Sequence, residues 1–248
     1  MTSRKYTLLL AGPFWLAMAL GLVPGGCSRN EPPAATAEKP AAAATAAAQS
    51  SQPAPEVTPQ PPPAEAPLTP ELAARLVRPH SPVLGPGRAR VTIVEFLDPA
   101  CEACRAYAPV VKQILFLYPD EVRLVVRYAD FHPGSDQAIR LLEAARRQGK
   151  FEQVLAALFD GQEEWASHHS PDVEKAWKIA GANGLKLAAA RKDAASAEST
   201  ALLGQEREDI VALQVTRTPT FYVNGRLLTN FGAEPLMALV SAEVKAAK

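Results

Sequence analysis

The sequence predicts an α/β domain in which a β-α-β unit, a helical insertion and a β-β-α unit follow one another, behind a signal and an unstructured spacer. Three observations predict it. Val91–Leu97 and Val122–Tyr128 are short apolar runs separated by a stretch of helical spacing. A long region of helical periodicity, about residues 134–213, then intervenes. After Pro219 the apolar period changes to two, around Asn224-Gly225.

Residues 1–26 read as an export signal. Arg4 and Lys5 make a basic start, and Thr7 to Val23 is apolar and uncharged, as in a secretory leader. The stretch is short for a membrane span, and Pro13 interrupts it. Gly25-Gly26-Cys27 resembles the end of a bacterial lipoprotein signal, in which the cysteine becomes the lipidated N-terminus. Pro24 stands where such signals usually have Leu. Cys27 is the expected lipidation site; a cleaved signal without lipid and a retained anchor are the alternatives. Residues 27–70 are expected to be a disordered linker. They are mostly Ala, Pro, Ser, Thr, Gln and Glu, with an alanine block at Ala41 to Ala48 and a triple proline at Pro61 to Pro63. Such a segment buries too little apolar surface to compensate for ordering, and its prolines keep it extended as a spacer.

The folded domain is expected over residues 71–248. Thr69 before Pro70 suits a helix start, so order begins near Leu68 to Val77. Val91–Leu97 and Val122–Tyr128 are buried strands. Between them a helix runs from about Cys101 to Leu117, and strand-helix-strand implies a right-handed parallel crossover. In the insertion, Ile139, Leu142 and Ala145 share a helical face that Gly149 ends. Phe151, Val154, Leu155, Leu158 and Phe159 form the next stripe, ended by Gly161. Ser170-Pro171 is the predicted start of a helix carrying Val173, Trp177 and Ala180, closed by Gly181. Leu185 to Leu203 is predicted as one weakly striped helix and Glu206 to Leu213 as a shorter one. Asn224-Gly225 suits a two-residue hairpin turn, because both positions tolerate positive φ. A last helix, Glu234 to Ala246, carries Leu236, Leu239, Val240 and Val244 on one side.

The chain has 248 residues, and its 26 Lys+Arg balance 26 Asp+Glu. Overall charge gives no case for nucleic-acid binding. The folded part has two of the three cysteines, Cys101 and Cys104, spaced as CxxC. In an exported chain such a close pair favours a redox couple over a stapled scaffold. Cys101 falls where the helix begins, and unpaired amides with the positive end of the helix dipole stabilise a thiolate there. Cys101 is then the exposed attacking thiol, and Cys104, one turn on, the resolving one; the two form the expected Cys101–Cys104 disulfide. A CxxC is also half a zinc site, but no second CxxC exists. His168 and His169 are read as surface residues, and His80 and His132 as isolated, so no metal is expected. A copper-binding or delivery module using the two thiolates is the alternative reading.

Four features together resemble the thioredoxin superfamily, and within it the DsbA-like branch, over about Val83 to Lys248. They are Glu95 in the strand before the dithiol, Pro109 five residues after Cys104, the insertion after the second strand, and Thr218-Pro219 before the third. The resemblance implies a thioredoxin-like fold and a protein thiol–disulfide oxidoreductase. It implies that Pro219 is a cis-proline beside the dithiol, with the Thr218 backbone meeting a substrate strand. It also implies that Glu95 is a buried acid relaying protons to Cys104. Arg217 stands where the family usually has a small residue, and is expected near Cys101, against acidic substrates, or pointing into solvent as a lone arginine commonly does. Strong oxidants of the branch have Pro-His between the cysteines; Glu102 and Ala103 here predict a weaker one, since Glu102 places a negative charge near the sulfur. No cofactor is expected, because the dithiol is itself the redox group. The expected partners are exported cysteine-containing proteins or a membrane redox partner. The expected setting is the bacterial cell envelope, periplasmic side, as a monomer tethered through its N-terminus.

Overall fold

The computed structural model describes residues 68–247. The expected signal, the spacer up to residue 67 and Cys27 lie outside the described residues. Order begins with helix α1, Pro70–Leu76, one residue inside the expected linker. Thr69 caps it, its hydroxyl accepting from Leu72 N at 3.4 Å, and Pro70 fills a first-turn position that needs no donor.

The sheet explains where the site lies. β1 (Val83–Leu84), β2 (Val91–Leu97), β3 (Val122–Tyr128), β4 (Thr220–Val223) and β5 (Arg226–Leu227) are ordered β1-β3-β2-β4-β5. β2 and β3 are parallel, from Val91 opposite Val122 to Leu97 opposite Tyr128. Helix α2, Glu102–Leu117, makes the crossover. β4 runs antiparallel to β2, with Phe96 opposite Thr220. The C-terminal end of β2 and the N-terminal end of β4 therefore meet at one edge, so Cys101 and Pro219 are brought together by register alone. The β4–β5 turn has Asn224 at φ 48° and Gly225 at φ 82°, as its Asn-Gly pair requires.

β2 is buried on both faces, and its side chains alternate between two cores. Val91, Ile93 and Leu97 pack with Cys104, Val111 and Ile114 of α2. Val94 and Phe96 pack with Leu76, Ile210 and Leu213 on the opposite side. The alternation puts Glu95 on the α2 side. Pro109 lies inside α2, where it removes one helical donor. Helix α9, Ala233–Ala246, closes the same core through Leu236, Val240 and Val244.

The insertion comprises α3 (Ser135–Arg147), α4 (Phe151–Asp160), α5 (Gln162–Trp165), α6 (Val173–Ala182), α7 (Leu187–Ala194) and α8 (Ala197–Ala212). Three boundaries differ from those expected. α6 begins at Val173 rather than after Ser170, because Asp172 caps it by accepting from Lys175 N. It runs past Gly181, and the chain turns at Gly184, φ 85°. The break in the last helical stretch falls at Ser196, whose hydroxyl accepts from Ser199 N, rather than between Leu203 and Glu206. Both of those residues are buried inside α8.

Leu203 packs into the apolar core of the insertion and α2, while Glu206 is buried by an ion cluster. Arg127 of β3 is fully buried. It donates to Glu206 Oε2 at 3.0 Å, to Asp209 Oδ2 at 2.7 Å and to the Arg75 carbonyl. Arg75 and Arg78 reach Asp209 Oδ1 at 2.8 and 2.6 Å. Burial alone would raise the Asp209 carboxyl, but hydrogen bonds from Arg78, Arg127 and Arg75 hold it down at about 2. The cluster ties α1 and α8 to the central sheet.

Candidate active site

Cys101 caps α2 with extended backbone angles, φ −81° and ψ 121°. Its own N–H donates to the Asp98 carbonyl at 3.1 Å, so the loop entering the helix is closed by a short turn. Both cysteines are free thiols. The Thr218–Pro219 peptide bond is cis. Cys101 Sγ lies 3.4 Å from the Thr218 carbonyl oxygen, to which it donates when it is a thiol, and Asp98 N–H donates to Cys104 Sγ at 3.4 Å.

The two sulfurs are driven apart electrostatically. The Cys101 thiol is lowered to about 5, first by its hydrogen bond with Cys104 and then, against burial, by Thr218 and the amides of Cys104 and Ala103. Burial raises the Cys104 thiol far above its ordinary value, with Cys101, Glu95 and their charges adding to it. One sulfur is thus a thiolate at neutral pH and the other a thiol. Glu95 is 2% exposed, and burial first, with the Cys101 charge second, pushes its carboxyl up to about 8.

Cys101 is more covered than the sequence suggests. It is 6% exposed against 0% for Cys104. The cover comes from the insertion and the proline loop: Gln162 Nε2 donates to the carbonyls of Pro99 at 2.9 Å and Cys101 at 3.0 Å. Among the described residues, the buried side-chain polar atoms without a hydrogen-bond partner are Glu95 Oε1, Gln162 Oε1 and Thr218 Oγ1. All belong to residues gathered at the dithiol. Each such atom costs about 1–3 kcal/mol, and their concentration at one end of the sheet is what a functional site tolerates.

Asp98 and two histidines complete the surroundings. The fully buried Asp98 carboxylate accepts from Ala100 N at 2.8 Å, Phe131 N at 2.9 Å, His132 N at 3.0 Å and the Ser135 hydroxyl. His132 Nδ1 lies 2.8 Å from its Oδ2. The His132 and His168 rings meet edge to face, centroids 5.6 Å apart. His168 Nε2 in turn lies 2.7 Å from Glu102 Oε1. The charge expected to oppose the thiolate is therefore shared with an imidazole. Neither histidine was placed at the site by sequence spacing, since His132 follows β3 and His168 lies in the insertion. Gln162 carries no local signal at all; only the tertiary fold delivers it.

Arg217 is exposed, and its carbonyl accepts from the Thr220 hydroxyl at 2.7 Å. With Pro219, Thr220, Tyr222, Leu72 and Phe231 it lines a groove of about 1010 Å³ running from the proline loop along β4 and β5. Among the described residues, no group of three or more His, Cys, Asp or Glu side chains is arranged to hold a metal ion.

The Thioredoxin family profile matches residues 78–242. Among solved structures, a thioredoxin-like oxidoreductase from Silicibacter pomeroyi is 30% identical with a TM-score of 0.59, covering 69% of this chain and 95% of that one. Wolbachia pipientis alpha-DsbA1 superposes with a TM-score of 0.63, covering 71% of this chain and 96% of that one, at 17% identity, a likeness of fold. Among curated proteins, the Na(+)/H(+) antiporter NhaA 3 of Salinispora tropica is 33% identical over 147 residues, which is 58% of this chain and 22% of that protein. The chain spans about a quarter of the length of the curated relatives it matches.

Proposed function

The chain belongs to the Thioredoxin family, as a thioredoxin-like thiol–disulfide oxidoreductase, and on that footing we propose that Cys101 and Cys104 are its redox couple. The observation that carries the proposal is the convergence of a helix-capping Cys101, its partner Cys104 and the Thr218 carbonyl at one end of the sheet. In the reducing direction, Cys101 thiolate attacks a substrate disulfide. A Cys101–substrate S–S bond forms, and one substrate sulfur leaves as thiolate. Cys104, deprotonated as it reacts, then attacks Cys101 Sγ; the Cys101–Cys104 disulfide forms and the second substrate thiolate leaves. Two electrons pass from the dithiol to the substrate, and the oxidising direction is the reverse. Glu95 is the proposed acceptor of the Cys104 proton, since its carboxyl at about 8 exchanges protons near neutral pH.

Thr218 and Arg217 are the proposed substrate-binding residues: the first through its backbone, the second as a side-chain cation facing acidic residues near the substrate cysteine. A thiolate held as firmly as Cys101 stabilises the reduced dithiol, which biases the couple towards accepting electrons. The proposed substrates are cysteines of exported proteins or of a redox partner protein. The proposed location is the periplasmic side of a bacterial envelope, with Cys27 as a lipid attachment point. Support for this comes from the signal-like residues 1–26 and the Cys27 context. Among the described residues no helix is long and apolar enough to cross a membrane. Replacing Cys27 by Ser is expected to move the protein from the membrane fraction to the soluble fraction.

The test is exchange with oxidised glutathione or reduced, scrambled protein substrates. Cys101→Ser is expected to abolish turnover, and Cys104→Ser to accumulate mixed disulfides through Cys101. Turnover by Cys101→Ser at the native rate would overturn the proposal.

A further inference from the structure

The two histidines at the dithiol come from outside the CxxC motif. Asp98 connects one of them to the cysteines through its own backbone and side chain. Its carbonyl accepts from Cys101 N–H, its N–H donates to Cys104 Sγ, and its carboxylate grips the loop carrying His132. That carboxylate already accepts the donors named above, so it takes the bond from His132 Nδ1–H, which leaves Nε2 as the atom that gains or loses the titrating proton. The ring is a quarter exposed and lies between Asp98 and His168. Asp98 is the partner common to ring and cysteine, its carboxylate 2.8 Å from His132 Nδ1 and its carbonyl 3.1 Å from Cys101 N. Burial lowers the ring's pKa, but the Asp98 bond and charge, with the charges of Cys101 and Glu102, outweigh it and raise it.

We propose that His132, oriented by Asp98, is a positioning residue whose imidazolium form stabilises the Cys101 thiolate, so that the reduced dithiol weakens as that ring loses its proton. The proposal rests on the reading of Cys101 as the attacking thiol. It substitutes for the donor that Ala103 cannot supply inside the motif. The other titratable and charged groups around the sulfur do not fill this role. Glu95 from β2 and Glu102 from α2 are acids, Cys104 is a thiol, and Arg105 is paired with Glu163 at 3.0 Å. His168 is bonded to Glu102, and Arg217 is exposed on the proline loop.

Thermodynamic reciprocity supplies a test in the unaltered chain. If the thiolate holds the imidazolium, His132 must titrate at higher pH in the reduced protein than in the Cys101–Cys104 disulfide form. Imidazole proton NMR across pH 4–9, with His132→Gln identifying the resonance, is expected to show that difference. In Cys101→Ser, which has no thiolate there, His132 is expected to titrate as low as in the disulfide form of the native chain. In His132→Gln the midpoint of Cys101 alkylation is expected to rise by about half to one pH unit. Equal His132 titration in both redox forms, with an unmoved alkylation midpoint, would overturn the inference. If Cys101→Ser still turned over glutathione, it would be the underlying redox proposal that failed instead.

Discussion

Glu95 is the residue at which stability and chemistry conflict most plainly. It is buried, one carboxylate oxygen has no partner, and its pKa is about 8 against an ordinary 4.5. A carboxyl raised on folding leaves stability intact below pH 4.5 and withdraws it as pH climbs to about 8. Cys101, lowered to about 5 from 9.0, acts in the opposite sense in the reduced protein: it adds stability above 9 that is lost as pH falls through about 5. Comparing the native chain with Glu95→Gln isolates the Glu95 contribution together with its coupling to the cysteine charges. The variant is expected to gain unfolding free energy in urea titrations relative to the native chain as pH rises from 5 to 8, by on the order of 4 kcal/mol at most. The same variant is expected to resolve mixed disulfides about ten- to a hundredfold more slowly. A more stable protein with a slower second step is the signature of an acid kept for chemistry; an unchanged resolution rate would leave Glu95 as a misplaced charge.

Among the elements, α8 depends most on a single carboxylate. Asp209→Ala leaves Arg75, Arg78 and Arg127 without their shared partner, and is expected to cost about 3–5 kcal/mol in urea unfolding. The Asp209 carboxyl is depressed to about 2 from 3.8, so the stability it contributes is complete above 3.8 and disappears as pH falls towards 2. The variant is expected to lose that acid-dependent stretch of the stability curve. A milder change, Ser196→Ala, removes the cap that separates α8 from α7 and is expected to cost about 1 kcal/mol. These features also mark where the sequence was readable. β2 and β3 stood out because buried parallel strands are continuous apolar runs, and α2, α3 and α4 because their stripes are strong. β1 went unnoticed because two residues carry no period. The α7–α8 break was misplaced because α8 buries Glu206 and Asp209, so its buried face is partly charged and has no apolar stripe. His132, His168 and Gln162 were missed for a related reason: their roles depend on partners 34, 66 and 61 residues away in the chain, which no local spacing encodes.

Over the described residues, the sheet presents one end and the insertion covers it. Antiparallel register between β2 and β4 brings Cys101 to Thr218, and the insertion adds Gln162 above them. Gln162→Ala deletes two hydrogen bonds that hold the insertion against Pro99 and Cys101, a loss of about 1–3 kcal/mol. It is expected to speed Cys101 alkylation several-fold at saturating pH without moving its midpoint, because access changes while the charge environment does not. That midpoint reports whether the sulfur at the start of α2 is held as a thiolate while its neighbour is held as a thiol. The direct measurement is alkylation of the reduced protein by iodoacetamide across pH 3–10, with the modified peptide identified by mass spectrometry. Modification is expected at Cys101 with a midpoint near the pKa of about 5, and none at Cys104. A midpoint near the ordinary 9.0, or modification of Cys104 first, would contradict this expectation.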